Sequence, residues 1–468
     1  MRIFKAVILF SFLNCGFNLT VIGQVPQFAE VVKTYFSRYQ FDNEYFSKLK
    51  FQKKREGWFT VEEKLDKPGK YANAQLFWSA AKKQYLPLRY SPVAGLTTDS
   101  IETLLEGFFR GTDGPEYLSY QFDHNIYFGY AGWDYDVIRD FEKNTNLSDT
   151  ALEGMGRAYS SYALGYFFDQ WGDHFTNNEL DRKLLKETDA ISTARRDKFI
   201  LHEAKAIEAY KKLFQKNPSY ITRVGNSHVK YANEHMFAYS TLLVAGYPEA
   251  AKKFLKPSIY PDSLIKLAKG YLSEVEKNGI LITGGDNDTY PLWYVQETEN
   301  YRKDVSVINY SLLGLRRYVG YIDKKNNHTL FKTGPSDYLK SNFDFAIFID
   351  TDSCTSPVPI QNLLDSINVS DKRKFKSEYY GASLDTFRKY NCRQVIASKT
   401  TEHNGHKIGK SFVFQLNSSY LLMNDFLLLD MFNTIQGKRN LFFSYIDPTH
   451  FFWPALVQNN LTYHFPKE

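Results

Sequence analysis

The tightest constraint on the fold lies in residues 280–309. Ile280-Leu281-Ile282-Thr283 is a short apolar run, the length of a buried strand rather than a helix. Gly284-Gly285 interrupts it, and Asp286-Asn287-Asp288-Thr289 follows. A helix is expected through Trp293, Tyr294 and Glu297, and a second strand at Val305–Asn309. Strand, loop, helix and strand in that order make a βαβ unit, with parallel strands and a right-handed crossover. Further strands are expected at Phe345–Ile349, Gln394–Ala397, Ser411–Leu416 and Asn440–Tyr445, with a helix over Asn424–Gln436. Residues 261–468 therefore read as an α/β domain, entered through a linking helix over Asp262–Lys277 that Asn278-Gly279 ends.

Upstream the period is helical. Ser148 or Asp149 can cap a helix whose apolar face is Leu152, Met155, Tyr159, Tyr162, Ala163, Tyr166 and Phe167. A second helix carries Phe199, Ala204, Ile207, Tyr210, Leu213 and Phe214 and stops at Asn217-Pro218. A third runs through Val229, Ala232, Met236, Tyr239 and Leu242 and turns at Gly246-Tyr247-Pro248. Small residues in the helices and prolines after them give 97–260 a tetratricopeptide-like look, with an ordinary helical bundle as the alternative. Before it, 24–96 holds an opening helical segment over 25–48, a strand at Gly57–Leu65, and a hairpin of Gln75–Trp78 with Tyr85–Leu88. With 468 residues the chain exceeds one core. The expected class is α+β multidomain: a helical-repeat-like half with a small β element, then the α/β domain.

Residues 1–23 read as a secretory signal peptide. Arg2 and Lys5 precede the short apolar run Ala6–Leu13, and Val21-Ile22-Gly23 places cleavage before Gln24. Lipid attachment at Cys15 is the alternative, although Asn14 is not the small residue usual before such a cysteine. The expectation is an exported protein, periplasmic or associated with the cell envelope. No later stretch has the ~20 apolar residues of a span, since Leu421–Phe432 is interrupted by Asn424, Asp425 and Asp430. Export leaves Cys354 and Cys392, which either form a disulfide or stay as buried thiols. A net charge of +6, without a Lys/Arg run, gives no nucleic-acid footprint. Aromatic residues reach 17%, with 34 Tyr and 38 Phe; they serve either core packing or a ring-rich groove for sugars and peptides.

Ligands of open α/β sheets bind beyond the carboxyl ends of the strands, where Asp286, Asn287, Asp288 and Thr289 stand. Two carboxylates, an amide and a hydroxyl can bind a hard cation or accept sugar hydroxyls. The same residues are also good helix caps. Asp286, Asn287, Asp288, Thr289 and Trp293 are thus the ligand-binding candidates, with no cofactor assigned. Asp350 and Asp352 end another apolar strand; were it adjacent, four carboxylates would converge on one metal. Neither loop matches the haloacid-dehalogenase phosphatase signature, because Thr289 comes one place early and Thr355 one place late. His403 and His406 can be zinc ligands, but Asn404-Gly405 between them reads as a hairpin turn.

The run Gly285-Asp286-Asn287-Asp288-Thr289-Tyr290-Pro291-Leu292-Trp293-Tyr294-Val295-Gln296-Glu297 resembles the soluble C-terminal portion of bacterial multi-pass glycosyltransferase-like proteins, related to protein O-mannosyltransferases. Asp304–Leu313, Asn424–Asp430 and Leu461–Pro466 are similar to the same family's following strand, late helix and terminal strand. The resemblance spans roughly 260–468. It departs at Gly437-Lys438-Arg439-Asn440, where the family has Trp-Lys-Arg-Pro. The family's multi-pass region, to which its lipid-linked sugar and catalytic acids belong, has no counterpart here. The resemblance therefore implies an extracytoplasmic domain that recognises glycan or acceptor protein. The expected function is a non-catalytic exported binding or accessory protein, with helical repeats for a protein partner and the loop for a glycan or small ligand. The alternative is a metal-dependent hydrolase, or a glycosyl or phosphoryl transferase, using Asp286, Asp288, Asp350 and Asp352.

Overall fold

The computed structural model describes residues 25–26, 28–38, 49–54, 56–63, 71–88, 133–167, 190–332, 346–349, 354–365, 388–390, 392–403, 406–416 and 420–466. Residues 1–24 with Cys15, residues 97–132, and Asp350 and Asp352 lie outside them.

Helix α1 (Phe28–Arg38) lies beside an antiparallel sheet of β1 (Leu49–Lys54), β2 (Gly57–Glu63), β3 (Tyr71–Ser79) and β4 (Gln84–Tyr85), in that order. Tyr35 of α1 meets the Phe51 and Phe77 rings edge-on at 5.4 and 5.6 Å. Trp58 Nε1 donates to the Pro26 carbonyl at 2.8 Å. Trp78 pairs with Tyr85 across the expected hairpin. Strand β1 is an addition to the expected elements; its lysines gave little apolar alternation. Gly57, at φ 134°, is obligatory, since a Cβ there would meet the Trp78 carbonyl oxygen at 1.9 Å.

The helical region comprises α2 (Trp133–Phe141), α3 (Asp149–Leu164), α4 (Thr193–Lys216), the hairpin β5 (Ile221–Thr222) and β6 (Gly225–Asn226), α5 (Ser227–Val244), α6 (Pro248–Lys252) and α7 (Asp262–Glu274). Ser148, Ser192 and Asn226 cap α3, α4 and α5, accepting from Ala151, Arg195 and Val229 amides at 3.1, 3.3 and 2.9 Å. Gly156 lets α3 approach α4 closely: a Cβ there would stand 2.6–2.8 Å from the ring of the fully buried Tyr210.

The α/β part begins with β7 (Ile280–Thr283), α8 (Asp286–Glu299), β8 (Ser306–Asn309) and α9 (Arg316–Lys325). It continues through β9 (Ala346–Ile349), β10 (Val358–Pro359), α10 (Ile360–Asp365), β11 (Arg388–Tyr390), β12 (Gln394–His403), β13 (His406–Gln415) and β14 (Tyr420–Leu422). It ends with α11 (Met423–Ile435), β15 (Leu441–Phe443), β16 (Val457–Gln458) and β17 (Tyr463–His464). The central sheet runs β16-β17-β15-β7-β8, with β15, β7 and β8 parallel. The expected βαβ unit is thus β7-α8-β8, within a mixed α+β architecture.

Both faces of the sheet are covered at β7 and β15, which is why Ile280–Ile282 and Leu441–Phe443 read as apolar runs. Ile280, Ile282, Ile308, Leu441 and Phe443 join a cluster with Tyr318, Val319, Phe426 and Leu429 from α9 and α11. Leu281, Val307 and Phe442 point the other way, into a cluster with Met236, Leu242, Leu272, Tyr290 and Val295. That second cluster takes residues from either side of position 260, so the helical region covers one sheet face. The aromatic wealth goes substantially into packing. Phe414 meets Phe432 at 5.3 Å and Phe452 at 4.7 Å, and Phe432 meets Phe465 at 4.6 Å. At the amino ends of the parallel strands, Arg439 binds the Asn278 and Gly279 carbonyls, Ser306 Oγ and Asn326 Oδ1 at 2.7–3.2 Å. This is the departure segment noted above, and its arginine ties β7, β8 and α9 together.

Candidate functional site at the carboxyl end of the central sheet

Thr283 ends β7, and α8 begins immediately after the two glycines, with Gly285 as its N-cap. Asp286, Asn287 and Asp288 therefore occupy the first helical turn rather than a free loop. Acidic side chains there are favoured by the partial positive charge of the helix start. Gly285 offers no side-chain cap; the Gly284 amide instead favours the charged form of Asp288.

The five candidates separate by role. Asn287 Oδ1 accepts from Asn233 Nδ2 at 2.7 Å, and its Nδ2 donates to the Val224 carbonyl at 3.0 Å. Tyr260 extends this chain by donating to Asn233 Oδ1 at 2.7 Å. Thr289 is fully buried. Its hydroxyl donates to the Gly285 carbonyl at 2.7 Å, meets Thr283 Oγ1 at 2.6 Å and accepts from Asn309 Nδ2 at 3.0 Å. Trp293 is half-buried, with Nε1 donating to the Val307 carbonyl at 3.2 Å. These three hold α8 to its neighbours. Asp286 and Asp288 keep exposed surface.

The two carboxylates face different surroundings. Asp286 is accessible at its surface yet ringed by protein, and that desolvation raises its pKa; Lys230 and the Tyr290 hydroxyl oppose the rise, while Glu234 adds to it. Desolvation also raises Asp288, against the Gly284 amide. The charge of Asp288 is felt on α7, where desolvation first and Asp288 next push the Tyr271 phenol up. The field of Asp286 is thus shared with charges on α5, and that of Asp288 with α7.

The adjacent strands complete the rim. After β8, Ser311 Oγ donates to the Gly284 carbonyl, and the Tyr310 hydroxyl donates to Asp425 Oδ1 at 2.5 Å. After β15 come the exposed Tyr445 and the half-buried His450, whose Nε2 lies 3.5 Å from Asp425 Oδ1. His450 Nδ1 accepts from the Phe452 amide at 3.2 Å, which assigns the ring hydrogen to Nε2, facing Asp425. Asp425 Oδ2 accepts from the Leu422 amide at 3.1 Å. Tyr310, Asp425 and His450 are site residues that the sequence alone does not assign. Tyr310 directly follows a predicted parallel strand, and that position was the available signal.

The convergence of Asp350 and Asp352 with this loop required β9 to neighbour β7. It does not: β9 lies in a separate sheet of order β11-β9-β14. Among the described residues no group of three or more His, Cys, Asp or Glu is placed to hold a metal. His403 and His406 pair across the antiparallel β12–β13 hairpin. Cys354 and Cys392 are joined by a disulfide, with Cα atoms 5.2 Å apart. Among the described residues no helix is long and apolar enough to cross a membrane.

Among curated proteins and among solved structures, nothing matches this chain. A family model described as TMEM260-associated domain 2 matches residues 265–464, a span that begins in α7, takes in the whole central sheet and closes on β17.

Proposed function

We propose that the chain is an exported, non-catalytic binding or accessory protein. It recognises a hydroxyl-rich ligand, a glycan in the first instance, at the carboxyl end of the central sheet, and its helical region engages a protein partner. The observation that carries this reading is the division of labour in the first turn of α8. Asn287, Thr289 and Trp293 spend their side chains on bonds to neighbouring elements, whereas Asp286 and Asp288, bonded locally to Tyr290 and to the Gly284 amide, keep exposed surface at the end of a parallel strand. Ionised carboxylates accept but do not donate, and sugar hydroxyls supply the donors. The domain match over 265–464 and the resemblance to the soluble part of glycosyltransferase-like proteins support a glycan-related role.

The test is thermal unfolding of the chain recovered from an exported fraction, whose first residue should be Gln24, with soluble glycans and with divalent cations. A glycan should raise the wild-type midpoint and leave Asp286→Ala/Asp288→Ala unmoved. A shift by a divalent cation alone, lost in the same variant, would replace this reading with the metal-dependent one. A glycan shift that survives in the variant would remove the loop from the site, and no shift by any glycan would reject glycan recognition.

A further inference from the structure

Helices α4 and α5 bury more negative charge than the positive charge beside it can balance. Glu203 of α4 is fully buried and Glu234 of α5 is 1% exposed. Glu234 Oε2 takes Lys230 Nζ at 2.5 Å, and the same ammonium stands 4.6 Å from the centre of the Tyr210 ring. The other Glu234 oxygen and both Glu203 oxygens have no aligned hydrogen-bond partner. From α3, Ser160 lies close to Glu203, and Glu153 and Arg157 face Tyr210. From α8, Asp286 and Tyr290 act on Lys230 and Glu234, and on α5 itself the buried His235 feels the Glu234 charge.

One ammonium cannot neutralise two carboxylates in a dry interior, and buried carboxylate oxygens without donors are costly. A proton on the pair answers both deficits, supplying the missing charge and the missing donor. Lys230 decides where it sits, because its ammonium contacts Glu234 directly. We propose that Glu203 and Glu234 share one proton at neutral pH, carried by Glu203 and donated to Glu234, and that this bond latches α4 to α5. Burial, then the Glu234 charge, pushes the Glu203 carboxyl well above the usual carboxylate range, with Lys230 and Ser160 acting against them. Loss of the proton sets two like charges between the helices and draws Lys230 between them. Lys230 also acts on Asp286, so the charge of the pair reaches the rim of the sheet.

The sign follows from which state holds the proton. Folded Glu203 keeps it at a pH where the unfolded chain has released it. The contribution is therefore full below the unfolded value of about 4.3 and is lost as pH rises toward the folded value. Across that interval the folding constant of the wild type should fall about tenfold per pH unit relative to Glu203→Gln, which stays neutral. Denaturant unfolding of the full chain at a series of pH values measures the ratio. Infrared spectra of the folded wild type at pH 7 should show a protonated-carboxyl carbonyl stretch that Glu203→Gln lacks. A ratio independent of pH overturns the proposal. If the variant does not fold, the wild type alone decides: an acid carbonyl band present at pH 7 and titrating away at higher pH supports the shared proton, and absence of that band at pH 7 overturns it.

Discussion

Thr289→Val separates a structural role from a ligand role in the sheet-end loop. Valine nearly matches threonine in volume, so no cavity opens and the change is confined to one hydroxyl. That hydroxyl bonds Gly285, Thr283 and Asn309. Thr283 Oγ1 retains the Ile308 carbonyl at 3.3 Å, and the half-buried Gly285 carbonyl can turn to water. Asn309, 1% exposed, has no such recourse for its amide hydrogen. Stranding one buried donor costs about 1–3 kcal/mol, so a loss of roughly 2 kcal/mol is expected. For a unit of 150–250 residues that lowers the melting temperature by about 4–8 °C. Thr289→Ser keeps the hydroxyl and gives up one buried methyl, at about 1 kcal/mol. Differential scanning calorimetry should rank wild type above Ser and Ser above Val, with glycan affinity per folded molecule unchanged. A valine variant as stable as wild type, or more stable than the serine one, would refute the hydrogen-bond argument.

Gly156→Ala reverses a familiar expectation. In an exposed helix alanine gains about 1 kcal/mol over glycine, but here its Cβ meets the Tyr210 ring at 2.6–2.8 Å, and overpacking costs about 1–3 kcal/mol. A lowered melting temperature is the expected result, and a raised one would refute the close approach of the two helices. Asp304 titrates at about 2 in the folded chain, held down first by Arg302, which bonds its two oxygens at 2.9 and 3.0 Å, and further by the Asn278 amide. Its folded pKa lies below its ordinary 3.8, so its contribution is present above that value and is lost as pH falls toward 2. The stability gap between wild type and Asp304→Asn should be constant from pH 8 to about 4 and should close in more acid solution.

Local sequence signals carried the architecture wherever one element announced its own ends. Ser148 precedes a 3.6-period apolar face and caps α3. Ile280–Ile282 is apolar throughout because both sheet faces are covered. Pairing between distant strands was not local. Nothing in residues 345–352 distinguishes a strand beside β7 from one in another sheet, and β9 proved to be the latter. The Glu203–Glu234 pair was hidden for the same reason, since its members lie on different helices. A trace existed all the same. Glu203 falls on the face that carries Phe199, Ala206, Ile207 and Tyr210, where the apolar period leaves little room for an unpaired charge.

The reading of Asp286-x-Asp288 turned on a boundary that sequence places only to within a residue or two. In an extended loop, carboxylates two residues apart can converge on one ion. The helix begins at Asp286, and successive helical residues turn by about 100°, so residues i and i+2 stand about 200° apart and do not face each other. The electrostatics agree, with Asp286 coupled to Lys230 and Asp288 to Tyr271. A chelate of one ion by both carboxylates is thereby disfavoured, and two separate acceptors flanking the helix start take its place. Such a pair suits an extended ligand with several hydroxyls better than a point charge. It also predicts that Asp286→Asn and Asp288→Asn weaken glycan binding independently, their free-energy losses adding in a double-mutant cycle to within about 0.5 kcal/mol. A large coupling between the two would restore a shared ligand atom and the metal reading with it.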